Sequence, residues 1–342
     1  MKLIASHKIN RFGGIDNVNL PTDMEQIDDT GHTYYFQSMN NFDITNKRTI
    51  QRRNGFHVIH SFDSLHSLWS DGNNCFFMNQ NSIYKLNQDM TYTVLSSGFG
   101  PRRMNYAAAY NKIYFTNETE IGYIEENTVI SLSLPSDSFK LSMPPGHLIE
   151  FYNHCLYVAV GNIVYCSDPT VLSQYDERYG LIPFKQRITM LKAVDDGLWI
   201  SDANNIYFLS GNNITDFSVS VKTDYGVKER SAIEIDNTFV GIDAVGKSVV
   251  MLTNHGIVIG SNGGQFLIPT QNHYHGSDFF VVYDAFIEKT DNIYQYLIMG
   301  YDYQSGEPFE LLAGLQILQT TSELNHIWAL PFLQLKLTAT FL

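Results

Sequence analysis

The chain has 342 residues, of which 44% are hydrophobic and 17% charged, which excludes an intrinsically disordered protein and allows a large core. The formal net charge of −13 is uneven, because residues 1–110 carry 10 Lys/Arg and 9 Asp/Glu while the remainder carries 12 and 26. An acidic surface repels phosphate, so ordinary nucleic-acid binding is disfavoured, and no apolar run approaches the ~18 residues that predict a membrane span.

The N-terminal segment, residues 1–62, lacks the repeat that organises the rest of the chain. Phe42–Ile44 and the run up to Ile50 are predicted strands, joined by a turn at 45–47. Asn54–Gly55 is a strong hairpin signal. We therefore expect an extended arm followed by strands that help to close the fold.

Residues 63–308 are organised around a repeated β-hairpin, of which LWISDANNIYFLSG at 198–211 is the clearest copy. Leu198–Ile200 forms an apolar strand, residues 201–205 favour a turn, and Ile206–Leu209 forms a second strand. Five copies of this second strand share an aligned isoleucine: Ile83, Ile121, Ile163, Ile206 and Ile257. Their spacings of 38, 42, 43 and 51 residues are typical of the four-stranded blades of a β-propeller.

A weaker sixth copy at 284–306 favours an all-β propeller of six blades, with five or seven as the alternatives. Two stretches, 168–183 and 219–234, lack the hairpin pattern and are predicted as long loops, the usual place for contacts. The C-terminal segment, 309–342, belongs to the same domain, and alternation over 333–341 predicts a last strand. Pairing of that strand with the N-terminal segment would close the ring and remove open sheet edges.

Three cysteines, Cys75, Cys155 and Cys166, fall inside predicted strands and show no CxxC spacing. Their odd number and apolar surroundings predict free, buried thiols, as expected for a protein made in a reducing cytoplasm. The sequence contains no nucleotide-binding loop or hydrolase motif in a suitable context. We therefore expect no catalytic residues, no bound metal and no cofactor.

A basic cluster lies near the predicted N-terminal hairpin, in the part of the chain that is almost neutral. The candidate interface residues are Lys47, Arg48, Arg52 and Arg53, joined by Arg102 and Arg103. Because the remainder of the chain is strongly acidic, we predict that this cluster docks on an acidic neighbouring subunit. A solvated hairpin face and a contact with DNA are the alternatives.

Other polar groups are better explained by turns and surface than by chemistry. His273 and His275 alternate along a predicted strand, but no third ligand for a metal accompanies them. Asp195–Asp196 is predicted as the turn before the strand of Trp199. The other adjacent acids are Asp28–Asp29, Glu125–Glu126 and Asp176–Glu177. Adjacency in sequence does not provide the separation of about 5–10 Å between acids that a glycoside hydrolase needs.

Short motifs in the N-terminal segment carry a resemblance to a known group of proteins. They are FGGI at 12–15, Leu20–Pro21, NFDI at 41–44 and RRNGF at 52–56. In this order they resemble the N-terminus of tailed-bacteriophage virion proteins of the tail, nozzle or hub type, which are built around β-propellers. The segment DGLWISDANNIYFLSG at 196–211 also resembles a phrase that recurs in those proteins.

The resemblance implies a structural virion protein and not an enzyme. It implies a homo-oligomeric ring in the tail or neck, a nozzle, hub or head–tail connector, made in the host cytoplasm. Such a ring contacts portal, connector or tail proteins and serves DNA ejection as a conduit or docking platform, with DNA only passing through. The alternatives are a tail-tip propeller that binds a receptor or glycan, with Trp69, Trp199 or Trp328 as stacking candidates, and a propeller glycoside hydrolase.

Overall fold

A computed structural model shows the architecture of the chain over a defined set of residues. It describes residues 11–16, 18–20, 25–28, 31–36, 42–44, 49–52, 60, 62, 64–132, 139–169, 171–237, 245–270, 274, 280–290, 293–302, 307–316 and 328–332. The regular elements there are β-strands, with a short 3₁₀ turn at Asn262–Gly264. Within these residues no helix is long and apolar enough to cross a membrane.

Five short strands lie in the N-terminal segment. They are β1 (Phe12–Ile15), β2 (Glu25–Asp28), β3 (Gly31–Phe36), β4 (Phe42–Ile44) and β5 (Ile50–Arg52). β3 pairs in parallel with β1 and antiparallel with β2. β4 and β5 form an antiparallel pair, so the two predicted strands exist. The second strand was predicted to end at Ile50, but in the structure it begins there.

The first two four-stranded sheets follow in chain order. The first contains β6 (Leu65–Ser70), β7 (Cys75–Asn79), β8 (Ser82–Leu86) and β9 (Tyr92–Ser97). The second contains β10 (Asn105–Ala109), β11 (Lys112–Thr116), β12 (Ile121–Glu125) and β13 (Thr128–Ser131). In both sheets each strand pairs antiparallel with the next one along the chain.

The third sheet includes a small additional pair. It is preceded by β14 (Lys140–Ser142) and contains β15 (Leu148–Tyr152), β16 (Cys155–Val160), β17 (Ile163–Cys166) and, after β18 (Gln174–Asp176), β19 (Leu181–Pro183). β18 pairs antiparallel with β14. The prediction of one long loop over 168–183 is therefore wrong, because strands of three residues are too short to show an alternating pattern.

The fourth and fifth sheets repeat the same order. The fourth contains β20 (Ile188–Val194), β21 (Gly197–Asp202), β22 (Ile206–Ser210) and β23 (Ser218–Thr223). The fifth contains β24 (Ile233–Asp236), β25 (Lys247–Thr253), β26 (Gly256–Gly260) and β27 (Phe266–Leu267). The predicted loop over 219–234 is wrong at both ends, since it includes most of β23 and the start of β24.

The sixth sheet has longer strands than the other five. It contains β28 (Phe280–Thr290), β29 (Ile293–Asp302), β30 (Glu307–Gln316) and β31 (Trp328–Phe332). Its first three strands have 11, 10 and 10 residues, whereas the strands of the other sheets have two to seven. β1 and β4 of the N-terminal segment lie against β31.

The succession of four-stranded antiparallel sheets confirms the predicted all-β propeller fold. Six such sheets occur in the described residues, while the number of blades remains a prediction. The chain divides into two compact units, one of residues 1–55, 227–261 and 265–342, the other of residues 56–226 and 262–264. The predicted closing strand, 333–341, lies outside the described residues, so ring closure by the two ends also stays a prediction.

The repeat in the sequence corresponds to one position in the sheets. All five aligned isoleucines lie in the third strand of their sheet: Ile83 in β8, Ile121 in β12, Ile163 in β17, Ile206 in β22 and Ile257 in β26. All but Ile163 are buried. The predicted hairpin is therefore the pair formed by the second and third strands.

Burial between successive sheets explains the apolar runs of the inner strands. In β16, Leu156 and Val158 pack in a core with the second sheet, while Tyr157 and Ala159 pack in a core with the fourth. Since consecutive side chains of a strand point to opposite faces, both faces of β16 are covered. A strand covered on both faces reads as a continuous apolar run and not as an alternation.

The turn between β21 and β22 shows why the repeated hairpin contains polar residues. One carboxylate oxygen of Asp202 accepts hydrogen bonds from the backbone N–H groups of Asn204 and Asn205, both at 2.8 Å. The other oxygen accepts from the Tyr207 hydroxyl at 2.9 Å. Burial and Asp202 raise the pKa of Tyr207 to about 12. The predicted turn chemistry is confirmed, because Asp202 satisfies donors that the chain reversal leaves without partners.

Candidate interaction surface

The predicted basic cluster is only partly included in the described residues. Lys47, Arg48 and Arg53 lie outside them. Arg52 is exposed at the end of β5, in the unit that contains the N-terminus. Arg102 is exposed and Arg103 half-buried between β9 and β10, in the other unit. The docking role of this cluster remains a prediction.

The segment that carries Arg102 and Arg103 is held by contacts on both sides. The backbone N–H of Met104 donates to the Ser67 hydroxyl at 2.8 Å. The backbone N–H of Gly100 donates to a carboxylate oxygen of Glu120, in the second sheet, at 3.2 Å. The two arginines are therefore presented from a fixed connection between two sheets.

A second polar surface surrounds the β14–β18 pair, where Lys140 lies opposite Asp176. Lys140 Nζ is 2.8 Å from Asp168 Oδ1 and 3.4 Å from Asp176 Oδ2. Arg178 grips Asp176 with two bonds, from Nε to Oδ1 at 3.0 Å and from a terminal nitrogen to Oδ2 at 2.7 Å. Gln174 donates to Asp168 at 2.9 Å. Bidentate pairing of this kind fixes the orientation of a guanidinium as well as its position.

The charges of this network are stabilised by one another. Hydrogen bonds from Arg178, and then from Lys140, hold the pKa of Asp176 well below its ordinary value. The hydrogen bond to Asp168 raises the pKa of Lys140, and the one to Asp176 raises the pKa of Arg178. All three groups therefore keep their charges through neutral pH.

Three exposed side chains stand on this network, and we call them the Arg178 platform: Phe139, Arg178 and Tyr179. Their exposed fractions are 48%, 47% and 62%. The guanidinium carbon of Arg178 lies 4.4 Å from the centre of the Phe139 ring and 5.3 Å from that of Tyr179. The sequence predicted contacts within 168–183 but not the platform, since Phe139 comes from a distant part of the chain.

The adjacent carboxylates of the sequence fasten turns. Asp195 accepts from the Asn262 side-chain amide at 2.8 Å, and Asp196 accepts from the Gly263 backbone N–H at 2.7 Å. The predicted turn before the Trp199 strand is confirmed, because residues 195 and 196 connect β20 to β21. Glu125 pairs with Lys112 at 3.3 Å. Asp195 and Asp196 thus hold a second turn, at 262–264, and Glu125 holds a neighbouring strand.

The remaining candidates have simpler outcomes. His273 and His275 lie outside the described residues, and the described part of the chain contains no group of three or more His, Cys, Asp or Glu that suits a metal. Trp199 is fully buried, 4.9 Å from Phe208 between ring centres, so its core position is confirmed and stacking on a sugar is wrong for it. Trp69 is half-buried and packs on Tyr106 at 5.7 Å.

The cysteines are free, as predicted. Cys155 and Cys166 are buried on neighbouring strands, whereas Cys75 is only half-buried. The hydrogen bond with Cys155, together with burial, raises the pKa of Cys166. Its thiol is therefore protonated and unreactive at neutral pH.

Several solved structures are similar to this chain at low sequence identity. The N-terminal domain of Nup159, a β-propeller, gives a TM-score of 0.46 at 9% identity over 78% of this chain and 87% of that chain. The Neurospora crassa Pan2 WD40 domain gives 0.43 at 10% over 68% and 71%. A catalytically inactive Staphylococcus aureus virginiamycin B lyase with quinupristin gives 0.44 at 11% over 80% and 90%. The sequence itself matches no family model and none of the curated proteins. The likeness concerns the fold alone.

Proposed function

We propose that the chain is a structural protein of a tailed-bacteriophage virion, a propeller that docks on other virion proteins in the tail or neck. The N-terminal motifs and the repeated hairpin segment, with their resemblance to nozzle and hub proteins, support the virion assignment. The Arg178 platform is the single structural observation that supports docking. In this role the protein forms a homo-oligomeric ring and serves as a conduit or docking surface during DNA ejection.

The geometry of the platform suits a protein partner. Arginine and tyrosine are the residue types that contribute most to protein–protein binding, and exposed ones gain most when their orientation is fixed beforehand. Asp176 fixes Arg178 through two bonds, and Phe139 packs against its guanidinium. Because these side chains are already ordered in the free protein, a partner that binds them loses little side-chain entropy.

The use of the acidic side chains favours this structural role over the hydrolase alternative. Asp176, Asp195 and Asp196 each accept hydrogen bonds from groups of the chain itself. A general acid or base has to reach a substrate proton directly or through one water. Carboxylates that already accept hydrogen bonds from the chain itself stabilise turns and strands, which favours a structural role for them.

The proposal is tested by charge reversal followed by particle assembly. Two proteins are compared with wild type: Arg178→Glu alone and the triple variant Arg48→Glu, Arg52→Glu, Arg53→Glu. We expect both to keep the β-sheet circular dichroism spectrum and to be lost from purified particles, or from rings of the purified protein seen by electron microscopy.

The matched control is Arg187→Glu. Arg187 is 50% exposed and pairs with Glu118 at 2.9 Å, so its reversal disturbs a comparable ion pair elsewhere in the same unit. Its incorporation is expected to match wild type. Normal incorporation of the Arg178 and triple variants would remove both docking surfaces from the proposal.

A further inference from the structure

Two aromatic side chains occupy left-handed backbone positions at equivalent turns of neighbouring sheets. Tyr110 lies in the turn between β10 and β11 with φ of 56°, and His154 lies in the turn between β15 and β16 with φ of 71°. Outside glycine the left-handed region is uncommon and is enriched in asparagine, aspartate and histidine, so the strain falls on Tyr110, where it costs about 1 kcal/mol or more. The Tyr110 side chain is nevertheless 65% exposed.

The two rings are nearly parallel and joined by a hydrogen bond, and we call this pair the Tyr110–His154 plate. The Tyr110 hydroxyl and His154 Nδ1 are joined by a hydrogen bond of 3.0 Å, and the ring planes differ by 20°. The ring centres are 6.3 Å apart. Two rings whose rims are bonded at this centre separation lie side by side, since rings placed over one another would bring their centres closer.

The chain supports the plate from neighbouring residues. Phe151 contacts the Tyr110 ring at 5.4 Å with the planes inclined at 68°. The Tyr152 hydroxyl donates to the Gly211 carbonyl at 2.7 Å, and the Asn153 amide donates to the Asn212 carbonyl. The turn that carries His154 is therefore tied to the fourth sheet. Strain kept in an exposed, well-supported aromatic pair is a signature of a binding site.

The chemistry of the plate selects a class of ligand. Two exposed aromatic rings, each next in sequence to an exposed asparagine (Asn111 or Asn153), suit a molecule with an apolar face and hydroxyl groups at its rim. Nucleobases are disfavoured because the accompanying phosphates meet a strongly acidic chain.

We propose that the Tyr110–His154 plate is a glycan-binding subsite that stacks on the apolar faces of two consecutive hexopyranose rings. Each aromatic ring supports one sugar ring, and the exposed amide of Asn111 bonds to a sugar hydroxyl. This activity is independent of the proposed virion docking, and it uses a different surface from the Arg178 platform.

The experiment measures disaccharide binding to the full chain by saturation-transfer NMR and titration, with cellobiose, lactose, maltose and N,N′-diacetylchitobiose as probes. We expect at least one probe to bind wild type. Tyr110→Asn keeps a residue that tolerates the left-handed conformation and removes the ring, and we expect it to weaken binding at least about tenfold. Tyr110→Phe keeps the ring but loses the bond to His154, so its loss is expected to be smaller.

Tyr283→Ala is the control. Tyr283 is 48% exposed in β28 and lies outside the plate, so this variant is expected to bind as wild type does. Thermal unfolding of Tyr110→Asn is expected at or above the wild-type temperature, because the substitution relieves backbone strain. Failure of wild type to bind any of the four probes, or equal binding by wild type and Tyr110→Asn, would overturn the proposal. Either result leaves the assembly test of the Arg178 platform unaffected.

Discussion

In the fourth sheet every residue of β21 is buried, whereas in the β14–β18 pair no residue is fully buried. The first is held by apolar burial and by one carboxylate that closes its turn. The second is held by Lys140, Asp176 and Arg178, whose charges satisfy one another at the surface. The difference teaches that this chain uses apolar burial to fix its architecture and ionic contacts to shape its surface. Substitutions in the two regions should therefore differ in size and in their response to pH.

The largest effect is expected at Trp199. Trp199→Ala should lower the free energy of unfolding by about 3–5 kcal/mol, because it leaves a cavity in a fully packed sheet. Urea denaturation followed by circular dichroism measures this loss. Trp69→Ala, at a half-buried position, serves as the control and should cost less. If both variants lost the same free energy of unfolding, the complete burial of Trp199 in the fourth sheet would not contribute more to stability than the partial burial of Trp69.

A smaller effect is expected at Asp202. Asp202→Ala leaves two backbone N–H groups without their acceptor and removes the nearer of the two acceptors of the Tyr207 hydroxyl, so it should cost about 1–3 kcal/mol. Asp202→Asn keeps one side-chain oxygen as an acceptor and should retain part of this stability. The same denaturation experiment distinguishes the two variants. An alanine variant as stable as wild type would mean that the turn needs no acceptor.

The smallest effect concerns pH and the β14–β18 pair. Since the folded pKa of Asp176 lies below its ordinary value of 3.8, its contribution to stability is present above that value and is lost as the pH falls below it. The Glu177 backbone amide bonds to the Phe139 carbonyl, and its protection factor, which is the intrinsic hydrogen-exchange rate divided by the observed rate at each pH, should fall over that range. Asp176→Asn should remove this pH dependence, while amides of β21 stay protected in both proteins. A pH response unchanged in Asp176→Asn would assign it to another group.

The fold was open to prediction from sequence because the repeated hairpin lies within short stretches of chain. Ile206 and its equivalents occupy the same strand of successive sheets, so their spacing reports the blade length directly. The Arg178 platform was not open to prediction in this way. Lys140 and Asp176 are 36 residues apart and are brought together by the pairing of two strands of three residues each. Strands this short show no periodic pattern from which the pairing could be predicted.

The Tyr110–His154 plate was hidden for a related reason. Tyr110 and His154 are 44 residues apart, a separation close to the repeat length, and they meet because equivalent turns of neighbouring sheets lie side by side. Alignment of the turns before the second strand, in addition to the aligned isoleucines, would have placed them in matching turns, with Tyr110 at the first turn position and His154 at the second. The left-handed backbone conformation of Tyr110 could not be read from the sequence, because tyrosine rarely adopts it.

The contact between β1 and β31 sets a minimum time for folding during synthesis of the chain. β1 ends at Ile15 and β31 begins at Trp328, so more than 300 residues separate the two neighbours. At about 5–20 residues per second, a ribosome adds that length in roughly 15–60 s. Throughout that time β1 can pair with β3, but its contact with β31 has to wait until residues 328–332 have been made. The formation of this contact is therefore timed by the synthesis of β31, and a chain that stalls before β31 keeps β1 without this neighbour.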